Sequence, residues 1–100
     1  MVQPEASIAI QILPQTAEEN IIPIVDRVIA HIKNSGLNYS VGPFETTVEG
    51  DFNALWKIAA ECHYICLEQG AAGVNAYIKT ALNTEKGVWS IEKKCAKHNS

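Results

Sequence analysis

The stretch SGLNYSVGPFETTVEGD, residues Ser35 to Asp51, decides the fold of this chain. Gly36 accepts a positive φ angle and therefore predicts the end of a helix. Gly42 and Pro43 break the β pattern between Asn38–Val41 and Glu45–Glu49, and each of these two runs has the composition of a strand. The stretch predicts a β-hairpin that follows directly on a helix.

The residues before the hairpin predict one strand and one helix. Residues 7–13 alternate isoleucine with small or polar residues, and we expect Pro14 to end this strand. Residues 17–34 have helical spacing. We place the N-cap at Asn20, because Pro23 then lies in the first turn, where its missing N–H removes no helical hydrogen bond. The apolar stripe of this helix comprises Ile21, Ile22, Val25, Val28, Ile29 and Ile32.

The residues after the hairpin predict a second long helix, a strand and a short basic helix. Asp51 can cap the second helix, and Gly70 ends it. A strand follows from Val74 to Leu82, and after a turn the tail helix runs from Trp89 to His98 with Ser90 as its cap. The apolar stripe of the second helix comprises Phe52, Leu55, Trp56, Ala59, Cys62, His63, Cys66 and Leu67.

The order β-α-β-β-α-β predicts an α+β protein with the ferredoxin-like fold. Right-handed crossovers place both long helices on one face of a four-stranded antiparallel sheet, with the short C-terminal helix added. One hundred residues favour a single domain spanning residues 1–100. The sheet residues expected beneath the helices, on what we term the covered face, are Ile8, Ile10, Ile12, Tyr39, Val41, Val48, Val74, Ala76 and Ile78.

The other side of the sheet, termed the open face, combines hydroxyl, amide, carboxylate and aromatic groups. Its expected members are Gln11, Ser40, Glu45, Thr47, Glu49, Asn75, Tyr77 and Lys79. A monomer would leave this face and a sheet edge uncovered, so we expect a homodimer or homotetramer. Tyr77 lies near the middle of the expected contact.

Composition narrows the classes of partner. The net charge is -3, which offers no positive field for phosphates, so we expect no nucleic-acid partner. The longest apolar run is far shorter than the roughly 20 residues that span a bilayer, so we expect no membrane partner and a cytoplasmic protein. Three cysteines cannot all pair within one chain, and we expect free thiols.

Residues 45–49 hold the best candidates for recognition. Glu45 and Glu49 point to the same face but lie about 13 Å apart along a strand, too far to act as a direct acid and base pair. As recognition groups, carboxylates accept hydrogen bonds from amino groups and attract cations, while the hydroxyls of Thr46 and Thr47 add neutral donors and acceptors. The alternative is an ordinary strand with a solvated outer side.

Cys62, His63 and Cys66 raise the alternative of a zinc site. Helix geometry disfavours it, because His63 is rotated by about 100° from Cys62. A fourth ligand would have to come from His31, Cys95 or His98, none of which has a recognised spacing. We therefore expect no metal and no cofactor. No nucleophile has a credible triad, and no glycine-rich phosphate loop is present, so we expect no catalytic residue.

The order of several short motifs resembles a family of small thiamine-binding proteins. The motifs are the strand IAIQILP at 8–14, SGL at 35–37, Gly42-Pro43, Thr47, Glu49-Gly50 and the helix that ends at Gly70. The resemblance implies a ferredoxin-like fold, assembly of subunits through their sheets into dimers or tetramers, and binding of thiamine or its hydroxymethylpyrimidine portion without catalysis.

The sequence therefore favours a ligand-binding protein that is not an enzyme and that sequesters or delivers thiamine or a related hydroxymethylpyrimidine. The residues expected to bind this ligand are Gln11, Ser40, Glu45, Thr46, Thr47, Glu49 and Tyr77. One alternative is an assembly or regulatory domain whose polar sheet face pairs with another subunit. A small enzyme acting on a heterocycle is a second alternative, disfavoured by the missing triad, metal set and phosphate loop.

Overall fold

The computed structural model describes residues 3–99, with side chains as far as Cys95. The elements are β1 (Ala6–Gln15), α1 (Glu18–Asn34), β2 (Asn38–Val41), β3 (Thr46–Gly50), α2 (Phe52–Glu68), β4 (Gly73–Leu82) and α3 (Ile91–Asn99). The strands form one antiparallel sheet in the order β2-β3-β1-β4. The predicted ferredoxin-like α+β fold, with its short C-terminal helix, is confirmed. Within the described residues, no helix is long and apolar enough to cross a membrane.

The core lies between the covered face and the two long helices. Ile8, Ile10 and Val48 of the sheet are buried against residues of both helices. Tyr39 and Ile78 pack against this core at its edges. The predicted membership of the covered face is confirmed for these five positions and for Ile12 and Val74. Val41 also lies on the covered side, opposite Thr46, but at the hairpin end of β2 it is exposed and does not join the core.

Helix α1 begins earlier than its proline suggested. The N-cap is Ala17, which makes no side-chain cap, and Pro23 lies inside the helix. The predicted start at Asn20 is therefore wrong. The predicted stripe is confirmed at Val28 and Ile32, but at its start Ile24 is buried, whereas Ile22 is 72% exposed. Packing of this side of the helix on the sheet stabilises the earlier start by more than is lost with the one helical hydrogen bond that Pro23 cannot donate.

The first strand is also longer than predicted. We expected Pro14 to end it, but β1 continues through Pro14 to Gln15. β3 pairs with β1 only from Ala6 to Ile10, whereas β4 pairs with it as far as Gln15. The second half of β1 therefore has one edge without a strand partner, where a residue that lacks an N–H is tolerated.

Helix α2 has the predicted cap and a second one. Asp51 Oδ2 accepts a hydrogen bond from the N–H of Ala54 at 2.9 Å, and Glu5 Oε2 accepts one from the N–H of Phe52 at 3.0 Å. Gly70 follows the helix with φ of +99°, as expected for a residue that stops it. The predicted stripe is confirmed for Leu55, Ala59, Cys62 and Cys66, but Trp56 and Leu67 are exposed, and Ile58 is buried instead.

Candidate ligand-binding site

The sheet register gathers six of the seven expected ligand residues on the open face. Gln11 lies opposite Tyr77, and Thr47 lies opposite Ser40 on one side and Ala9 on the other. Because strand residues two apart share a face, Glu45 and Glu49 flank Thr47 on this side. The seventh, Thr46, lies on the covered side and is buried.

Glu45 is held by an ion pair that crosses the central strand. Its Oε1 lies 2.7 Å from Nζ of Lys79 on β4. The side chains of Glu45 and Lys79 are 30% and 75% exposed, respectively. Between them on β1 lies Ala9, whose methyl group leaves the path across the sheet clear. An ion pair this exposed contributes about 0–1 kcal/mol, so a cationic ligand can replace Lys79 at little cost.

Glu49 shares the face with Glu45 but already holds two structural partners. Asn38 Nδ2 donates to Glu49 Oε1 at 2.7 Å, and the N–H of Ile91 donates to Oε2 at 2.8 Å. The second bond places a carboxylate at the N-terminus of α3, where the helix dipole favours negative charge. Glu49 therefore fixes the tail helix beside the open face. Its expected role toward a ligand stays a prediction.

The tail helix is further fixed by its own cap. Ser90 Oγ accepts from the N–H of Lys93 at 3.1 Å, which confirms the predicted cap. The N–H of Ser90 donates to Gln3 Oε1 at 3.2 Å, and the N–H of Val88 donates to the Pro4 carbonyl at 2.8 Å. The segment that precedes α3 is thus joined to the residues that precede β1.

Docking of α3 turns part of the open face into a groove, which we term the open-face groove. Its volume is about 310 Å³. The lining residues are Ser7, Ala9, Glu45, Thr47, Lys79, Thr80, Ala81 and Lys94. Ser7, Ala9 and Ala81 are small and make a flat floor, while Glu45, Lys79 and Lys94 carry charges. A flat floor with charged groups around it suits a planar, polar heterocycle.

Only Glu45 and Thr47 of the eight groove residues were among the expected ligand residues, and the six that were not include two lysines. Lys79 lies two residues after Tyr77 along β4, so the two side chains point to the same side of the sheet, the open face. No comparable signal marks Lys94, because its position depends on how α3 docks. The hydrogen bond from Ile91 to Glu49, which sets that docking, joins residues 42 positions apart.

A second cavity lies where β1 has lost its β3 partner. It measures about 250 Å³ and is bounded by the hairpin loop, the end of β1 and one side of α1. Gln11, Glu45 and Thr46 contribute to its lining beside Val25 and Phe44. Glu45 thus borders both this hairpin cavity and the open-face groove. Thr46 can reach a ligand only from the hairpin side.

The residues of the alternative zinc site do not point to a common centre, because α2 places the two cysteines and the histidine in different surroundings. Cys62 and Cys66 are buried in the core, and His63 Nδ1 donates to the Ala59 carbonyl at 2.7 Å. Burial, followed by the charges of Cys66 and Glu61, raises the pKa of the Cys62 thiol to about 12. Within the described residues, no three His, Cys, Asp or Glu side chains converge on one point. The side chain of His98 lies outside the described part.

Cys95, by contrast, is exposed on the tail helix. None of the three cysteines forms a disulfide in the structure, as the free-thiol prediction requires.

The comparisons with known proteins agree on one family. Residues 8–99 match the family described as thiamine-binding protein. The UPF0045 protein CPE1503 of Clostridium perfringens is 34% identical over 92 residues, which cover 92% of this chain and 95% of that protein.

Solved structures extend the likeness to the fold. A domain of unknown function, DUF77, from Bacillus cereus has a TM-score of 0.85 at 29% identity, covering 93% of this chain and 88% of the other. A Thermotoga maritima protein, whose name gives it an assumed role in thiamine biosynthesis or salvage, has a TM-score of 0.82 at 28% identity. In that comparison 95% of this chain and 99% of the other are covered.

Proposed function

Because this chain belongs to the thiamine-binding protein family, we propose that it binds thiamine or a related hydroxymethylpyrimidine and sequesters or delivers it without catalysis. The observation that carries the proposal is the carboxylate of Glu45, which borders the open-face groove and whose one cationic partner among the described side chains is the exposed Lys79. Such a carboxylate is available to a ligand that brings its own cation.

The chemistry of the groove matches both halves of thiamine. The aminopyrimidine presents an amino group that donates to a carboxylate, and the thiazolium cation can take over the place of the Lys79 ammonium beside Glu45. Neighbouring strands lie about 4.8 Å apart, so the backbones of Thr47 and Lys79, two strands apart, leave room for one ring above Ala9. The Thr47 hydroxyl can bond the ring edge.

Gln11 and Tyr77 extend the site toward the other end of the open face. They are cross-strand partners and lie one row beyond Thr47 and Lys79. The amide of Gln11 offers a donor and an acceptor, and the ring of Tyr77, which is 68% exposed, offers a stacking surface. Ser40 adds a hydroxyl at the edge beside Thr47.

A binding role without catalysis is supported by the placement of the two carboxylates. Glu45 and Glu49 are separated by about 13 Å along the strand, and both oxygens of Glu49 are engaged by Asn38 and Ile91. A proton relay between the two acids over that distance has no support. Recognition by Glu45 alone needs no such relay.

Isothermal titration calorimetry with thiamine and with hydroxymethylpyrimidine tests the proposal. Ligand at a hundredfold excess over Kd should also raise the free energy of unfolding by about 2.7 kcal/mol. Glu45→Gln should weaken thiamine by about tenfold or more and the neutral pyrimidine less, because only thiamine loses a charge partner. Glu85→Gln, on an exposed turn, is the matched control and should change neither. Absence of both heat and stabilisation with either ligand at millimolar concentration would refute the proposal.

The ligand role is compatible with assembly through the open face. Tyr77 and Leu13 are exposed there, and this pair gives a contact an apolar centre. We expect a homodimer or homotetramer in light scattering, and Tyr77→Asp should dissociate it by placing two charges near the symmetry axis. A monomer at tens of micromolar, or an unchanged mass for the variant, would contradict this.

A further inference from the structure

The lining of the open-face groove carries more positive than negative charge. Lys79 reaches it from β4 and Lys94 from α3, whereas Glu45 is the one acid among the lining residues. Ser7 and Thr47, whose side chains share the open face, add two hydroxyls to this lining. A chain with a net charge of -3 thus gathers two ammonium groups and two hydroxyls around one small cavity.

The two lysines have different neighbours. Lys79 pairs with Glu45, but Lys94 makes no ion pair with any carboxylate in the described part of the chain. Lys93, the residue before it, lies 4.5 Å from the centre of the Trp89 ring. Lys94 is therefore the cation of this groove that has no acid to balance it.

We infer that the open-face groove prefers a ligand that carries a phosphate monoester at the Lys94 end in addition to a cationic or amino-substituted ring at Glu45. This inference rests on the proposed function and names the form of the ligand. Phosphate oxygens accept hydrogen bonds from ammonium and hydroxyl groups, which are the groups that line this end.

One ligand of this kind satisfies all three charged side chains together. Its ring takes the place of Lys79 at Glu45, and the released Lys79 ammonium then joins Lys94 at the phosphate. The unphosphorylated ligand would displace Lys79 and leave both lysines without an anion. The phosphate therefore gives the displaced Lys79 ammonium a new partner, which offsets the loss of its ion pair with Glu45.

Calorimetric titration with thiamine, thiamine monophosphate and inorganic phosphate provides the test, on the unmodified protein and on two variants. We expect the monophosphate to bind about tenfold more tightly than thiamine, as one added charge-assisted contact would give. Lys94→Gln should abolish that preference, because it weakens the monophosphate about tenfold more than it weakens thiamine. Lys93→Gln, one residue away and stacked on Trp89, is the matched control and should keep the preference. Added salt should weaken the monophosphate more than thiamine.

The outcomes separate this inference from the proposed function. If thiamine binds and the monophosphate binds equally or more weakly, the inference is wrong and the proposed function stands. If Lys93→Gln and Lys94→Gln lose the preference equally, the phosphate is attracted by the general charge of α3 and the inference is again wrong. If inorganic phosphate binds but neither thiamine compound does, both the inference and the proposed function fail.

Discussion

The two faces of the sheet use neighbouring residues of the same strands for different purposes. On the covered face, Ile8 and Val48 are buried in the core that the sheet shares with both helices. On the open face, Ala9 and Thr47 lie one residue away and line a groove beside an ion pair that a ligand can displace. Stability and binding should therefore respond to separate substitutions. The following predictions test that separation, from the largest expected effect on stability to the smallest.

Alkaline pH should act through the covered side. The Cys62 thiol has an ordinary pKa of 9.0, and burial raises it to about 12 in the folded protein. Between these values the unfolded chain has lost the proton that the folded chain keeps. The free energy of unfolding should therefore fall by about 1.4 kcal/mol per pH unit, or about 3 kcal/mol over two units.

Urea denaturation between about pH 8 and 11 measures this slope. Cys62→Ala should reduce this slope without removing it, because burial also raises the pKa of the Cys66 thiol, and the variant should be less stable at neutral pH. An equal slope for both proteins would mean that Cys62 contributes nothing to it.

At neutral pH a thiol reagent should modify Cys95 alone in the folded protein and all three cysteines after unfolding.

A reciprocal exchange on β3 compares the faces directly. Val48→Thr places a hydroxyl without a partner in the core and should lower the free energy of unfolding by about 2 kcal/mol. Thr47→Val keeps the shape and the β propensity and should change it by less than about 0.5 kcal/mol. Ligand affinity should show the opposite pattern, a loss for Thr47→Val and no change for Val48→Thr. Similar stability losses in both variants would remove the distinction between the faces.

Glu49 is the exception on the open face, since its partners are structural. Glu49→Gln should cost about 1 kcal/mol by weakening the bond to the N–H of Ile91 at the start of α3. Hydrogen exchange at the Ile91 amide should quicken, while amides of β1 should stay protected. Unchanged exchange at Ile91 would show that α3 is held by other contacts.

Lys79→Gln should have the smallest effect on stability, below about 0.5 kcal/mol, because the Glu45 pair is exposed. Its effect on binding should be larger. Thiamine no longer competes with an internal cation for Glu45 and should bind about threefold more tightly, a shift of less than 1 kcal/mol. Weaker thiamine binding in this variant would mean that Lys79 itself contacts the thiamine.

The sequence predicted the element order, the hairpin and the caps at Asp51 and Ser90, because these depend on residues close together in the chain. It misplaced the start of α1, since local rules for Pro23 do not include the packing of Ile24 on the sheet.

For the site, alternation along strands placed six of the expected residues on the open face. The same rule, applied strictly, would have put Thr46 on the covered face beside Val48. The contribution of Lys94 could not be predicted, because it depends on a contact between α3 and β3 that no local pattern encodes. The hydrogen bond from Ile91 to Glu49 is that contact, so the structural role of Glu49 could not be predicted either.

The ladder between β1 and β4, which joins Ala6 to Leu82, has a consequence for how the molecule is made. In chain order the central strand comes long before the edge strand that pairs with it, so during synthesis β1 keeps that edge open until β4 follows. Helix α3, which brings Lys94, comes after β4. The groove that we propose for the ligand therefore needs the last two elements of the described chain, β4 and α3, both in place against strands made much earlier.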